Sequence, residues 1–304
     1  VSKMILGLIG SNVSRSFSPV IHQAFFQASG INGEYRLLSV SESELASTLS
    51  QLTCAPLFTR GINVTIPYKV VMLDFVDHVE SAAQTAGAIN TVVFSYDQST
   101  ISKRSGYNTD IAGLKASLEG SLDVASVIGA RAAVLGLGGA ARASVIALFQ
   151  MGVRDIVLIG RTLERGRSFI DSMKFEGVAF TLYSTEDELP EDQAENFRAI
   201  KETLSTCSIF IHATSIGHND DQCPQWLPGL ISALPQNALV QDLVYAKSDD
   251  GTIVCKLADE RGLMCADGKA MLVHQARHAF ELWTGFLPPY EDGMQALEKA
   301  IKAI

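Results

Sequence analysis

The chain has 304 residues, 47% of them hydrophobic and 19% charged, enough apolar material for two domains or one large one. Its net charge of −9 argues against a nucleic-acid backbone as partner, whereas an anionic small molecule, held by local groups, stays open. The apolar run 4–9 is too short for a signal segment, and no stretch approaches the roughly 18 apolar residues of a membrane helix, so the sequence reads as cytoplasmic with no membrane partner.

Residues 3–9 predict a strand that stops at Gly10 before a polar loop. Ser18 as N-cap and Pro19 at the first helical position open a helix that Gly30 closes. Ser16 and Ser18 thus sit between a strand end and a helix start, where hydroxyls beside helix N–H groups can hold a carboxylate. Capping alone accounts for Ser18 and leaves Ser16 unexplained. A strand over 34–40 and a helix over 43–52 follow. GINVTIP, 61–67, alternates, with Ile62, Val64 and Ile66 on one face and Asn63 and Thr65 on the other. Pro67 stops it, and Lys69 falls on the first turn of a short helix. Polar groups at strand ends of an α/β sheet face the usual ligand crevice, although a lysine after a proline is also an ordinary solvated residue. Residues 86–94 form a small-residue turn entering a strand, with Asn90 at its start. Asp110, in GYNTD, reads as the N-cap of a helix over 111–118, a role compatible with a chemical one.

From there βα units are expected. A buried strand, 132–135, meets a glycine turn in which Gly136, Gly138 and Ala141 fall on the G-x-G-x-x-G/A spacing, and a helix over 140–149 follows. Gly136 permits the tight turn, Gly138 lets a pyrophosphate approach the backbone, and the N–H groups around Gly139 and Ala140 open a helix whose positive end suits phosphate. The next strand, 155–159, leads into Gly160-Arg161-Thr162, with Arg165 one turn later. No acidic residue stands where an NAD-type site places one for the ribose 2′-OH. Arginine forks suit a 2′-phosphate, which favours NADP over NAD. A strand near 178–181, an acidic loop over 186–195, strands over 208–212 and 238–243, a helix over 252–261, a strand over 263–266 and helices near 268–283 and 290–302 complete the reading. Five cysteines, at 54, 207, 223, 255 and 265, are odd in number and contain no C-x-x-C pair, which predicts reduced thiols rather than disulfides or zinc. His274 and His278 have the i, i+4 spacing of metal ligands, but no third ligand of matching type is apparent and no metal is expected.

SRSFSPVIHQAF, GINVTIPYK, AGAIN, YNTD, GLGGAAR, HATSIG, DLVY and ADGKAMLVHQARHAF occur in this order along nearly the whole chain. Together they resemble the shikimate dehydrogenases and their quinate/shikimate relatives. The resemblance implies an α/β fold of two domains: 1–109 with 268–304 for a ring acid, and a doubly wound Rossmann domain, 110–267, for NADP. It implies Ser16 and Ser18 on the substrate carboxylate with Tyr245 nearby, and Asn63, Thr65, Asn90, Asp110 and Gln275 on ring hydroxyls. Lys69 would lie beside the reacting oxygen, with Asp110 as its catalytic partner, and Thr162, Thr214, Gly268 and Met271 would join the cofactor site. The implied activity is reversible, NADP-dependent reduction of 3-dehydroshikimate to shikimate by a monomer or homodimer. A relative acting on quinate or a similar ring acid, and a ring-acid sensor without turnover, are the alternatives. Five positions depart from the family pattern: Arg15 for a histidine, Asn12 for a proline, Gly160 for an asparagine, and Lys269 and Ala270 in Gly268-Lys269-Ala270-Met271-Leu272, which stands for Gly-Leu-Gly-Met-Leu.

Overall fold

The computed structural model describes residues 3–54, 57–122, 127–173, 175–185, 195–217, 223–246 and 251–303. The chain divides into two compact units, Val1–Gly113 with Leu272–Ile304, and Leu114–Met271.

The first unit is built on a mixed six-stranded sheet of order β2-β1-β3-β5-β6-β4. Its strands are β1 (Met4–Gly10), β2 (Gly33–Ser39), β3 (Gly61–Val64), β4 (His78–Val79), β5 (Thr91–Asp97) and β6 (Thr100–Tyr107). β1 is parallel to both β2 and β3, so these three chains deliver their carboxyl ends to one edge, whereas β5 runs antiparallel to β3 and β6. Helices α1 (Ser18–Ser29), α2 (Leu45–Leu52) and α3 (Ser81–Ala86) connect the strands, and α4 (Thr109–Ser121) leads into the second unit. The apolar faces of α2, β3 and β5 meet in a core that includes Leu45, Leu49, Ile62, Val92 and Phe94.

The second unit is a doubly wound sheet. β7 (Arg131–Leu135), β8 (Asp155–Gly160), β9 (Ala179–Ser184), β10 (Ile209–His212), β11 (Leu239–Asp242) and β12 (Met264–Ala266) are all parallel, in the order β12-β11-β10-β7-β8-β9. The order reverses between β7 and β10, the place where open α/β sheets bind their ligands. α5 (Gly139–Gln150), α6 (Leu163–Met173), α7 (Glu195–Leu204), α8 (Leu227–Ser232) and α9 (Ile253–Glu260) join the strands. β7, β8 and β10 are buried end to end apart from the first residues of β7 and β8, as apolar runs covered on both faces should be. The chain returns to the first unit through α10 (Lys269–Thr284) and ends in α11 (Tyr290–Ile301). There the Phe280 ring meets Phe25 and Phe26 of α1, and the Trp283 indole donates to the carbonyl of Val92 at 2.9 Å. No described helix is long and apolar enough to cross a membrane.

Five sequence expectations need correction. Ser18 is the first helical residue rather than the N-cap, because the carbonyl of Phe17 already accepts from Val20 and Ile21. Asp110 lies inside the first turn of α4; the Asn90 side chain, from outside the helix, takes the N–H of Thr109 at 2.7 Å and so does the capping. β3 ends at Val64, and Ile66 is 71% exposed instead of sharing a core face with Ile62. Lys69 sits in the turn 66–70, ahead of a 3₁₀ segment, Val71–Phe75, rather than on a helix. Cys255 and Cys265 are joined in a disulfide, because the tight return from α9 to β12 brings their Cα atoms to 5.4 Å. Most of the expected acidic loop, residues 186–194, lies outside the described residues.

Candidate active site

In the first unit the candidate residues gather at the carboxyl ends of β1 and β3. Parallel pairing sets Ile9 beside Val64, so the segments leaving both strands start together. Lys69 is fixed through its backbone: its carbonyl accepts from the N–H of Ile89 at 2.7 Å, and the neighbouring Tyr68 hydroxyl is anchored on the carbonyl of Val40 at 2.6 Å. Its Nζ lies 2.7 Å from Asp110 Oδ2, the side chains being 21% and 9% exposed. Asp110 Oδ1 accepts from Asn90 Nδ2 at 2.7 Å, so both carboxylate oxygens are engaged. The ammonium keeps two N–H donors beyond the one given to Asp110.

The polar network extends inward. Asn90 also donates to Thr109 Oγ1 at 3.0 Å, and Asn63 donates to Thr91 Oγ1 at 3.0 Å and to the carbonyl of Asn90 at 3.3 Å. The Tyr35 hydroxyl donates to Asn63 Oδ1 at 2.6 Å and fixes that amide's orientation. Burial pushes the Tyr35 phenol far above its ordinary range, so it stays a neutral donor. The N–H groups of both amides are thereby committed inside the protein, and what Asn63 and Asn90 give the site is rigidity around Asp110. Tyr35, Thr91 and Thr109 carry this network and were not singled out from the sequence. Thr91 and Thr109 lie inside or beside quoted motifs, but no spacing marks them, and Tyr35 reads as an ordinary strand residue.

Ser16 and Ser18 are brought together: their Oγ atoms are 3.1 Å apart, and Ser16 Oγ accepts the backbone N–H of Ser18 at 3.2 Å. Ser16 therefore has the structural reason that capping by Ser18 did not supply. Arg15 beside it is exposed and makes no ion pair with the described residues. Thr65 anchors the turn through its N–H to Ile9 and its carbonyl to Tyr68, at 2.9 Å each. Gln275 Nε2 donates to the carbonyl of Leu272 in its own helix at 3.0 Å. His274 stacks on Tyr290 at 4.4 Å with burial lowering it to about 4, and His278 faces Glu281 at 3.6 Å. Among the described residues no three His, Cys, Asp or Glu side chains are grouped to hold a metal ion.

In the second unit the glycine turn has the shape that close approach requires. Gly136 adopts φ +125°, and a Cβ there would lie 2.6 Å from the carbonyl oxygen of Ala213. Gly138 is the N-cap of α5 with no side-chain cap, and the helix start at Gly139 and Ala140 is partly exposed. Opposite, β8 ends at Gly160, where an added Cβ would lie 2.1 Å from Leu137 Cδ1, so a side chain at this position requires Leu137 to shift. Arg161 and Arg165 are exposed and make no ion pair with the described residues, while Thr162 Oγ1 accepts the N–H of Arg165 at 3.3 Å. The N–H of Gly268 meets the carbonyl of Val244 at 2.9 Å, and Met271 is buried. Lys269 pairs with Asp267 at 3.1 Å, so it is not a free cation. Tyr245 is half-buried, which raises its phenol pKa. An open glycine turn, an uncapped helix start, two exposed guanidinium groups and no carboxylate at the end of β8 fit a dinucleotide with a 2′-phosphate.

Comparison with known proteins agrees with this chemistry. Residues 8–92 match the shikimate dehydrogenase substrate binding domain, and residues 270–298 match the shikimate 5′-dehydrogenase C-terminal domain. The NADP(+) shikimate dehydrogenase of Caldanaerobacter subterraneus subsp. tengcongensis is 34% identical over 92% of this chain and 91% of its own. That of Bacillus subtilis is 33% identical over 95% and 94%. The crystal structure of shikimate 5-dehydrogenase from Thermus thermophilus, in complex with NADP(H) and shikimate, is similar with a TM-score of 0.77 at 26% identity, covering 98% of this chain and 99% of that one.

Proposed function

The chain belongs to the shikimate dehydrogenase family, and from that premise we propose that Lys69 and Asp110 carry the proton-transfer step of an NADP-dependent, reversible reduction of 3-dehydroshikimate to shikimate. In that reaction the C3 ketone gains a hydride at carbon and a proton at oxygen. When bound, the reduced nicotinamide supplies the hydride. Lys69 offers one of its two remaining N–H groups to the ketone oxygen and delivers the proton as the oxygen gains charge. Asp110 holds the ammonium in place, and Asn90 holds Asp110. In the oxidative direction the neutral amine takes the alcohol proton back.

The serine pair, Ser16 and Ser18, serves the substrate carboxylate, with Arg15 adding positive charge and Tyr245 a further hydroxyl. Thr65, Gln275 and the remaining acceptor lone pairs of Asp110 serve ring hydroxyls, and Asn63 and Asn90 serve the same ring site by holding this edge rigid. All of these groups except Tyr245 lie in the first unit, the ring-acid domain of this reading. In the second, Gly136, Gly138, Gly139 and Ala140 receive the pyrophosphate, Arg161, Thr162 and Arg165 the 2′-phosphate side, and Thr214, Gly268 and Met271 the nicotinamide side. Cytoplasmic location, a monomer or homodimer, and the absence of a nucleic-acid partner belong to the same proposal; the net charge of −9 supports the last.

The observation that carries the reading is the 2.7 Å Lys69–Asp110 pair, itself held by Asn90. An initial-rate panel of shikimate and quinate against NADP and NAD tests it. Shikimate with NADP should give the highest kcat/KM. Comparable turnover of quinate would make the chain a quinate/shikimate enzyme, and ring-acid binding without NADP reduction would make it a sensor.

A further inference from the structure

At the sheet's switch point, a hydrogen-bonded chain of two further residues, His212 and Asp242, leads to Thr214. His212 ends β10 and Asp242 ends the adjacent β11, and register pairs them directly. Both side chains are buried, 0% and 1% exposed, and His212 Nδ1 lies 2.7 Å from Asp242 Oδ1. That oxygen also accepts the N–H of Val244 at 3.0 Å. On the other side of the ring, His212 Nε2 lies 2.5 Å from Thr214 Oγ1, which in turn accepts the N–H of Ile216 at 3.2 Å. Thr214 is half-buried, and its methyl lies 3.3 Å from where a Cβ of Gly136 would stand, so the residue borders the glycine turn.

The order of donors follows from chemistry. A carboxylate can only accept, so an imidazole with a single ring proton carries it on Nδ1 toward Asp242 and presents a lone pair at Nε2. Thr214 must then donate its hydroxyl hydrogen to Nε2. With that hydrogen committed, the Thr214 oxygen can only accept from anything that approaches the turn. Phosphate oxygens are acceptors and find no partner there. A ribose hydroxyl or the carboxamide amine of a nicotinamide does.

We propose that His212 and Asp242 are positioning residues that fix Thr214 as a hydrogen-bond acceptor for the nicotinamide half of the dinucleotide. The inference rests on the NADP reading above and adds to it a means of orienting the reactive end independently of the phosphates.

Two variants isolate the effect. His212→Asn keeps an N–H near the place of Nδ1 for Asp242 but offers Thr214 no acceptor. Thr214→Val removes the hydroxyl and leaves the buried pair intact. Dissociation constants are measured for NADP and for 2′,5′-ADP, which carries the 2′-phosphate but no nicotinamide half. Each variant should weaken NADP by about three- to tenfold, the size of one net hydrogen bond, and leave 2′,5′-ADP unchanged. The double variant should be no weaker than either single one, because both break the same contact. Repeating the His212→Asn comparison with the 3-acetylpyridine analogue of NADP, which lacks the amide N–H, assigns the donor: loss of the difference points to the carboxamide, persistence to the ribose. Equal weakening of 2′,5′-ADP, additive losses in the double variant, or unchanged NADP affinity would each overturn the proposal. Failure of the unsubstituted chain to bind NADP would instead overturn the reading on which it rests.

Discussion

Replacing Asp110 by asparagine keeps the outline of the side chain but leaves one acceptor oxygen where two are in use. In the native site Oδ1 receives Asn90 Nδ2 and Oδ2 receives Lys69 Nζ, each at 2.7 Å. Whichever way the new amide turns, its NH2 faces a donor. One charge-assisted hydrogen bond is lost, worth about 1.5–3 kcal/mol, and a buried donor–donor contact replaces it. Breaking a fully buried ion pair costs roughly 3–5 kcal/mol, but the Lys69 side chain is 21% exposed and keeps some hydration. The expected loss is therefore about 3 kcal/mol, a fall in Tm of roughly 5 °C for a chain of this length melting as one unit. Lys69 also loses its anchor, so kcat should fall about a hundredfold or more, as when a general acid is misplaced. Thermal melts and initial rates on the same preparation separate the two effects. A lowered Tm with kcat within threefold of the native value would refute the reasoning, because it would make Asp110 structural and leave Lys69 working without it.

Removing the guanidinium groups of Arg161 and Arg165 together should raise KM for NADP at least tenfold, each charge-assisted contact being worth about 1.5–3 kcal/mol, and leave NAD kinetics nearly unchanged. Equal losses with both cofactors would mean that the arginines support the fold. His22 supplies a pH test: it is fully buried, stacked 4.1 Å from the Tyr35 ring, and burial lowers it to about 3 from an ordinary 6.5. The folded chain thus keeps His22 neutral while the unfolded chain protonates it below pH 6.5, so stability is complete above that pH and falls as pH drops toward 3, by about 1.4 kcal/mol per pH unit. Urea unfolding at pH 7.5 and 4.5 should show the stability gap between the native chain and His22→Leu shifting by about 2–3 kcal/mol against the native chain at the lower pH, and a constant gap would contradict it.

The second unit was largely legible because its central strands β7, β8 and β10 carry short apolar runs, and parallel strands buried on both faces can hardly look otherwise. The β5–β6 hairpin was not read as such. Thr100–Tyr107 is polar and mostly exposed at its start, and its turn is made by Gln98 at φ +53° rather than by a glycine. The caps were misplaced for a related reason. Asn90 caps α4 from nineteen residues away, and local spacing carries no trace of such a bond. The Cys255–Cys265 link depends likewise on where α9 and β12 meet in space. The separate pieces of the candidate site came from motif resemblance. Their wiring, from Tyr35 through Asn63, Thr91 and Asn90 to Asp110 and Lys69, exists only once the strands are paired.

The central claim is that Lys69 moves the proton. Lys69→Met keeps the length and apolar stem of the side chain and removes the ammonium, and the rate of NADP reduction at saturating shikimate reads the result directly. The account predicts kcat lower by about two to four orders of magnitude with a much smaller change in KM for shikimate. A kcat close to that of the native chain would contradict it.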